Sequence, residues 1–305
     1  MSTPSLRPRV VVIGGGILGA STYAHLARGG ADVTLVTAGS LADGASGRSI
    51  AWLNSSGDRT PEYHYLRLIA LDRYRTWREQ HPDSQGYLRF DGALKWAGEG
   101  ESFRDTFAFE RANGYDSIWV ERDEVARFAP DVDPASVAGE GAIFNAGEGW
   151  VSLPDLIAAL IAEAVADGAT VVEHAGQARV DVVDGAAAGV ILADGTRLAA
   201  DQVVLATGPA VPAQLAALGV TVPDATPTAF VVFTEPVDAA VTTVLNTPRV
   251  AVRPTPDGRL VLDADWAEQS TSVADDGTIT VPEESVAGRL EDASKVLAGH
   301  PTLTA

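Results

Sequence analysis

The sequence predicts an α/β protein, in which a mainly parallel sheet flanked by helices is interleaved with an α+β part built on an antiparallel sheet. Three observations support this fold class. The segment 9–36 has the strand, helix, strand order of a parallel crossover, within the roughly 30 residues that such a unit needs. A buried strand pattern follows at 202–206, and beyond residue 228 short segments alternate between apolar and polar residues, as antiparallel strands do.

The first three elements are defined by β-branched residues and by glycine. Arg9 to Ile13 is a β-branched run and predicts a strand that is buried on both faces. Apolar spacing predicts a helix over Ile17 to Arg28, which the glycines that follow it end. Asp32 to Val36 predicts a second strand parallel to the first.

The middle of the chain contains one long helix and several shorter elements. Thr60-Pro61-Glu62 predicts the capped start of an amphipathic helix. Its expected buried face carries apolar residues at helical spacing: Tyr63, Leu66, Ala70, Tyr74 and Trp77. Asp91-Gly92 predicts a hairpin between strands within 87–97, and short helices are expected over 103–111 and 123–128.

The later elements predict one more helix, a β-meander and an antiparallel sheet. A capping box from Ser152 to Asp155 opens a helix that ends near Gly168. Three segments with turns at Asp184-Gly185 and Asp194-Gly195 predict the meander: 170–173, 178–183 and 189–193. Three more predict the antiparallel sheet, with a turn at 256–258: 230–234, 250–253 and 259–262.

The order of these patterns predicts two discontinuous domains. At 305 residues the chain is long for a single hydrophobic core. The parallel-sheet domain is expected to comprise 1–84 and 147–222. The antiparallel-sheet domain is expected to comprise 85–146 and 223–305.

The composition argues against several kinds of partner. The formal charge of −19, from 41 acidic and 22 basic residues, repels nucleic-acid phosphates and anionic membrane surfaces. The chain has no cysteine, which excludes disulfides and thiolate chemistry and fits a reducing cytoplasm. The five histidines are not spaced as metal ligands, so no metal is expected. Residues 1–9 are too polar for a signal peptide, and no apolar run approaches the roughly 20 residues that cross a bilayer.

A glycine motif joins the first strand to the first helix. Gly14, Gly16 and Gly19 match Gly-x-Gly-x-x-Gly in the strand-to-helix context that gives the pattern meaning. Gly14 permits the tight turn, Gly16 lets a pyrophosphate approach the backbone, and Gly19 lets helix and strand pack closely. The amides that open the helix, at Ile17 and Leu18, are expected to bind the phosphates. The motif predicts a dinucleotide site, and an ordinary structural turn is the alternative.

The end of the second strand departs from the usual dinucleotide pattern. An acid that binds the ribose hydroxyls is expected about 20 residues after the glycines, but Thr37-Ala38 stands there. A threonine hydroxyl can bond ribose with less discrimination. The loop that follows offers Ser46, Arg48 and Ser49 to the pyrophosphate or to the edge of a flavin, unless it is a solvated connection.

The strand pattern at 202–206 leads into Thr207-Gly208-Pro209. Small residues at a strand end allow a flat cofactor to lie beside the backbone. Taken alone, this segment is as well explained by a simple strand end.

Together these motifs resemble the FAD-dependent D-amino-acid oxidase family, which includes glycine oxidase and sarcosine oxidase. The resemblance extends over nearly the whole chain, and its order and spacing are more specific than any single motif. It is carried by these segments: 11–19, 46–49, 51–54, 149–154, 194–195, 206–208 and 253–262.

The resemblance implies a Rossmann-type FAD-binding domain and an antiparallel sheet that roofs the flavin and forms the substrate cavity. It places the backbone of Val180 near the adenine, and Thr207 and Gly208 near the pyrophosphate and ribitol. It also implies an enzyme that oxidises the C–N bond of an amine or amino acid by hydride transfer to flavin N5.

Arg253 is the candidate ligand for a substrate carboxylate, because it lies on an alternating strand of the expected roof and a guanidinium suits bidentate carboxylate binding. The alternative is an ion pair with a neighbouring acid. No residue stands out as a catalytic base, and His64, on the long helix, is expected to be a packed or surface residue.

Family members continue beyond a segment like 293–301 with a further strand and helix, whereas this chain stops at Ala305. We therefore expect the closing piece of the FAD-binding domain to be absent and FAD to be held weakly. Exposed strand edges would then favour self-association or a partner that completes the fold. Two other functions stay open: a flavoprotein fragment without turnover, and an NAD(P)-dependent dehydrogenase.

Overall fold

The computed structural model describes residues 7–224, 228–238, 241–268, 270–274 and 279–305. The helices, numbered in chain order, are α1 Ile17–Arg28, α2 Pro61–Gln80, α3 Arg104–Ala112, α4 Val125–Phe128, α5 Leu153–Ala166, α6 Val211–Ala216, α7 Asp265–Glu268 and α8 Glu283–Val296. The first ten strands are β1 Arg9–Ile13, β2 Asp32–Val36, β3 Trp52–Leu53, β4 Leu88–Arg89, β5 Ala93–Lys95, β6 Ile118–Val120, β7 Ala142–Asn145, β8 Gly149–Val151, β9 Thr170–Val172 and β10 Arg179–Val183. The others are β11 Ala186–Ile191, β12 Arg197–Ala199, β13 Gln202–Leu205, β14 Val232–Phe233, β15 Val244–Asn246, β16 Ala251–Pro254, β17 Leu260–Asp263, β18 Ser272–Val273 and β19 Ile279–Thr280.

The chain folds into two compact units. The first comprises 1–49 and 153–227, and the second comprises 50–152 and 228–305. The sequence-based division into domains has the same alternating order but differs for residues 50–84 and 147–152, which contribute β3, α2 and β8 to the second unit. Packing explains this difference, because Trp52 and Trp150, which pair with each other, pack against Ala93 and Val244 of the second unit.

The first unit is built on a parallel sheet with the strand order β13-β1-β2-β9. β1, in the middle, pairs in parallel with both β2 and β13. Its residues Val10 to Ile13 are almost completely buried, as the continuous β-branched run predicts for a strand covered on both faces. α1 and α5 belong to the same unit and are linked by an ion pair between Arg28 and Glu163 at 2.6 Å.

The β-meander of the first unit consists of β10, β11 and β12. Its first turn is at Asp184-Gly185, where both residues have positive φ angles of 51° and 78°. The expectation that 170–173 opens the meander is wrong, because β9 joins the parallel sheet beside β2. A short β-branched strand has the same local sequence in both settings, so only its pairing partner decides between them.

The second unit contains a seven-stranded sheet with the order β14-β17-β16-β15-β5-β7-β6. Its pairs are antiparallel except for β15 with β5, which run parallel. The turn predicted at 256–258 joins β16 to β17. A separate three-stranded sheet has the order β3-β8-β4.

The hairpin predicted at Asp91-Gly92 is wrong. β4 pairs with β8, whereas β5 pairs with β7 and β15. Gly92 does have a positive φ of 88°, but a Cβ built there would approach the ring of Phe144 to 2.5 Å. The glycine therefore leads the chain from one sheet to another beside the packed Phe144 ring, and it does not form a hairpin between β4 and β5.

α2 begins as predicted, with Thr60 as its N-cap and Pro61 in the first turn. Its buried face differs from the expected one: His64 and Leu71 are buried, whereas Tyr63, Leu66 and Ala70 are exposed. Tyr74 and Trp77, of the expected face, are half-buried, so apolar spacing identified the inward side only in the second half of the helix.

Within the described ranges, no helix is long and apolar enough to cross a membrane. The same ranges contain no group of three or more His, Asp or Glu residues arranged to hold a metal ion.

Candidate functional site

Gly14 directly follows β1 and lies against the backbone of Ala206, the residue that follows β13. Its φ is 124°, and its N–H donates to the carbonyl of Val36 at 2.8 Å. A Cβ built on Gly14 would overlap the carbonyl oxygen of Ala206, the first residue after β13. Both the backbone conformation and the close approach of Ala206 therefore require glycine here.

The start of α1 is packed on one side and open on the other. A Cβ built on Gly19 would overlap the carbonyl oxygen of Gly14, so the helix lies directly against the turn. Gly16 is the N-cap, with extended backbone, and a Cβ built on it would meet only the Ser46 hydroxyl, at 3.2 Å. Leu18, in the first turn, is 75% exposed. This arrangement leaves room in front of the helix for a ligand.

The structure brings the predicted serine loop to this helix start. The N–H of Ile17 donates to the Ser46 hydroxyl at 2.9 Å, and Ser46 lies in a short 3₁₀ turn over Ala45–Gly47. Arg48 follows this turn and is exposed, and Ser49 is half-buried. The loop is therefore anchored by Ser46, in agreement with the proximity that the sequence predicts.

Thr37 and Ala38 follow β2 at the same edge of the sheet. Thr37 is buried, and its hydroxyl would lie 2.9 Å from a Cβ built on Gly15. Ala38 is exposed, and its carbonyl accepts the N–H of Gly176. Thr37 thus packs against the glycine turn, and its side chain is largely withdrawn from solvent.

The remaining candidates of the first unit lie on two other elements. Thr207 and Gly208 come after β13, where the Thr207 hydroxyl donates to Gln214 at 2.7 Å and Gly208 has a φ of 59°. Val180 is half-buried on β10, opposite Val190. The exit of β13 is fixed to β1, because the N–H of Ala206 donates to the carbonyl of Ile13 at 2.8 Å.

Arg253 lies on β16 in the second unit and is 4% exposed. Its Nη1 donates to the carbonyl of Pro254 at 2.9 Å, and its guanidinium lies 5.5 Å from the ring centre of Trp150. Burial lowers the pKa of Arg253 to about 10, so the side chain keeps its charge at neutral pH. Alternating sequence placed Arg253 on the sheet correctly, but it did not indicate that the guanidinium is buried.

Comparison with known proteins decides the family. A family model described as FAD dependent oxidoreductase (DAO) matches residues 9–304. The chain belongs to this family. The family match supports FAD, as the resemblance implied, rather than the nicotinamide alternative.

A relative of known activity is consistent with this assignment. A glycine oxidase from Geobacillus kaustophilus (strain HTA426) is 27% identical over 208 residues, which make up 65% of this chain and 54% of the relative. The match therefore spans about half of that relative's length.

Solved structures confirm the predicted fold class. The crystal structure of glycine oxidase from Geobacillus kaustophilus has a TM-score of 0.75 at 22% identity, covering 98% of this chain and 81% of the other. Glycine oxidase from Bacillus cereus ATCC 14579 gives 0.77 at 22% identity, covering 95% and 80%. L-proline dehydrogenase from P. horikoshii gives 0.73 at 16% identity, covering 98% and 80%.

The first unit fits the pyrophosphate of FAD. Gly14 and Gly19 are positions where a Cβ would overlap backbone, and Gly16 leaves an open approach to the start of α1. The partial positive charge of a helix N-terminus favours an anion at that place. Together these features form a cradle, defined here as Gly14 to Gly19 with Ser46 and Ala206.

The second unit contains a buried polar cluster that the sequence did not reveal, defined here as Ser56, Lys95, Glu110, Tyr115, Ser117 and Glu148. Lys95 is 5% and Glu110 1% exposed, and their side chains form an ion pair at 2.5 Å. Lys95 also donates to the Ser56 hydroxyl, and Ser117 donates to Glu110 at 2.6 Å. Burial alone would raise the pKa of Glu110, but the charge and hydrogen bond of Lys95 hold it below its ordinary value.

Glu148 is the second carboxyl group of the cluster. Its Oε1 accepts the Tyr115 hydroxyl at 2.5 Å, and its Oε2 accepts the Trp52 indole N–H at 2.8 Å. Burial raises the pKa of Glu148 to about 8, against the opposing effect of the Tyr115 hydrogen bond. Glu148 is therefore mainly protonated at neutral pH. Since these residues come from distant segments, only Lys95, a charge within an apolar strand, could have drawn attention to the cluster.

Glu148 is expected to make stability depend on pH. Its pKa is about 8 in the folded chain and near 4.5 when unfolded, so the folded state binds the extra proton between these values. The free energy of unfolding should fall as pH rises from about 5 to 8, by up to about 1.4 kcal/mol per unit. Urea unfolding at several pH values measures this effect.

Glu148→Gln is the comparison that isolates this group. The variant lacks the titrating carboxyl. As pH rises from about 5 to 8, the unfolding free energy of the wild type should therefore fall more than that of the variant. A difference that stays constant from pH 5 to 8 would show that Glu148 does not titrate in this range.

Proposed function

We propose that the chain is an FAD-dependent oxidoreductase that oxidises the C–N bond of an amine or amino acid. The observation that carries the proposal is the cradle, whose glycines fit a pyrophosphate in a chain that belongs to an FAD-dependent family. The similarity to glycine oxidase supports an amino acid as the substrate class. When bound, FAD supplies the acceptor for the hydride of the carbon next to the amine.

The chain's own residues have separate roles in this proposal. Gly14, Gly16 and the amide of Leu18 are proposed to bind the pyrophosphate. The Ile17 N–H, which was expected to join them, donates instead to the Ser46 hydroxyl and holds the loop beside the cradle. Arg253 is proposed to bind the substrate carboxylate, which its retained charge supports. The proposed contacts of Thr37, Ala38, Arg48, Ser49, Val180, Thr207 and Gly208 with FAD rest on the family pattern.

Anaerobic reduction tests the activity. The chain is loaded with FAD and mixed with a panel of amino acids and amines without oxygen, and flavin absorbance is followed. Bleaching by at least one amino acid is expected. A chain that binds FAD but stays unbleached across the panel would contradict the proposed reaction while leaving FAD binding intact.

Arg253→Met separates carboxylate binding from chemistry. If Arg253 binds the carboxylate, the variant should raise KM for amino acids much more than for amines that lack a carboxylate. An equal effect on both substrate types would assign Arg253 a structural role.

Two further proposals concern location and assembly. A cytoplasmic location is supported by the cysteine-free sequence, and cell fractionation tests it. Self-association, or binding of a partner, is supported by the exposed apolar side chains Tyr65 and Leu66 on α2. Light scattering of the purified chain measures its oligomeric state.

A further inference from the structure

The dinucleotide pattern of this chain lacks one charged group. Folds of this kind place an acid at the end of the second strand, where its carboxylate accepts hydrogen bonds from the ribose hydroxyls. Here β2 ends at Val36, and the next residue is Thr37, whose buried hydroxyl lies toward Gly15. Thr37 supplies no negative charge to a ribose.

The neighbouring strand carries an acid at the equivalent place. β9 pairs in parallel with β2, with Val172 opposite Val36, and Glu173 is the next residue. The N–H of Thr37 donates to the carbonyl of Val172 at 3.0 Å, so the register continues beyond the ends of both strands. Glu173 is exposed, at the carboxyl edge of the sheet where such folds bind their ligands.

The Glu173 side chain is directed toward the glycine turn rather than away from it. Its Oε2 accepts the N–H of Leu41 at 3.0 Å. Leu41 in turn packs on the turn, since its Cδ2 would lie 3.2 Å from a Cβ built on Gly15. The next residue, Ala42, donates its N–H to the carbonyl of Gly15 at 3.0 Å. One short loop thus connects the carboxylate to the cradle.

Backbone hydrogen bonds hold this loop in place. Residues 37–39 pair with 174–176: the N–H groups of His174, Ala175 and Gly176 donate to the carbonyls of Gly39, Thr37 and Ala38. The position of Glu173 is therefore set by the sheet and by the loop together. A carboxylate has about four lone-pair sites, and the bond to Leu41 uses one of them.

We propose that Glu173 binds the ribose hydroxyls of the adenosine half of FAD, in place of the acid that is missing at position 37. The proposal rests on the proposed FAD binding and adds to it a residue that the glycine motif does not identify. A purely structural role, in which Glu173 only fastens Leu41, makes a different prediction.

Binding of ADP and of 2′,3′-dideoxy-ADP to the full chain distinguishes the two roles. Titration calorimetry measures both affinities for the wild type, Glu173→Gln and the control Glu163→Gln. Glu163 is a half-buried acid of α5 that pairs with Arg28 of α1. Glutamine can still accept the N–H of Leu41 but carries no charge. For Glu173→Gln, ADP affinity should fall about tenfold, because hydrogen bonds to charged groups are the stronger ones.

Binding of the dideoxy nucleotide distinguishes ribose binding by Glu173 from a purely structural role. It lacks the ribose hydroxyls, so wild type and Glu173→Gln should bind it equally, and Glu163→Gln should match the wild type for both ligands. An equal loss for both nucleotides, or no loss for either, would overturn the assignment of Glu173. If the wild-type chain binds neither ADP nor FAD, the proposed function itself fails, and the assignment fails with it.

Discussion

Gly19→Ala is expected to lower FAD affinity by roughly tenfold to a hundredfold and to destabilise the first unit by about 1–3 kcal/mol. A Cβ at this position would overlap the carbonyl oxygen of Gly14, so α1 must move away from the turn. That movement would displace the start of α1, including the Leu18 amide, from the proposed position of the pyrophosphate. Quenching of FAD fluorescence on binding measures the affinity.

Gly29→Ala is the matched control, because Gly29 caps the other end of the same helix. Its backbone is helical, with a φ of −73°, and the nearest atom to a Cβ built there is the His25 carbonyl oxygen at 3.3 Å. This variant should bind FAD as the wild type does. Wild-type affinity in Gly19→Ala would contradict the close packing of the turn against the helix.

Lys95→Met is expected to destabilise the second unit by about 3–5 kcal/mol, because it leaves the carboxylate of Glu110 buried without its counter-charge. The hydroxyls of Ser56 and Ser117 remain, but they do not neutralise the charge. All six tryptophans lie within 50–152 and 228–305, so their fluorescence during urea unfolding reports on this unit.

Lys295→Met makes the same substitution at an exposed ion pair. Lys295 pairs with Glu291 on α8 at 2.7 Å, and both side chains are more than half exposed. Exposed pairs of this kind contribute about 0.3–0.5 kcal/mol. If the two variants lost similar stability, the ion pair of Lys95 with Glu110 would not be an important part of the second unit's core.

The N-terminal elements could be predicted to the residue. Arg9 to Ile13 and Ile17 to Arg28 have the predicted bounds in the structure, since local pattern and glycine placement define both ends. The glycine motif also predicted the local packing, because Gly14 has a positive φ and lies against Ala206, and Gly19 lies against Gly14.

Pairing between distant segments could not be predicted in the same way. The position of β9 in the parallel sheet depends on its contact with β2, and the separation of β4 from β5 depends on β7 and β8. The buried face of the first half of α2 was also mistaken: His64 is buried there, and its Nδ1 lies 2.7 Å from the hydroxyl of Ser55. Such polar contacts leave no periodic pattern in the sequence.

The candidate site shows the same division. Ser46 was predicted near the helix start because it follows the motif closely in the chain. The burial of Arg253 was not predicted, because it depends on packing beside Trp150, which is distant in sequence. Glu173, proposed above to bind the ribose, was not among the predicted residues, since it is adjacent to Thr37 only through the pairing of β9 with β2.

The pairing of β1 with β13 has a consequence for how the chain is made. Arg9 and Asp201, which are hydrogen-bonded to each other, are separated by 192 residues. At about 5–20 residues per second, a ribosome needs roughly 10–40 s to synthesise that interval. During this time one edge of the first strand has no native neighbour and is open to mispairing. The wall of the cradle at Ala206 is thus completed late, which favours slow folding of the candidate nucleotide site.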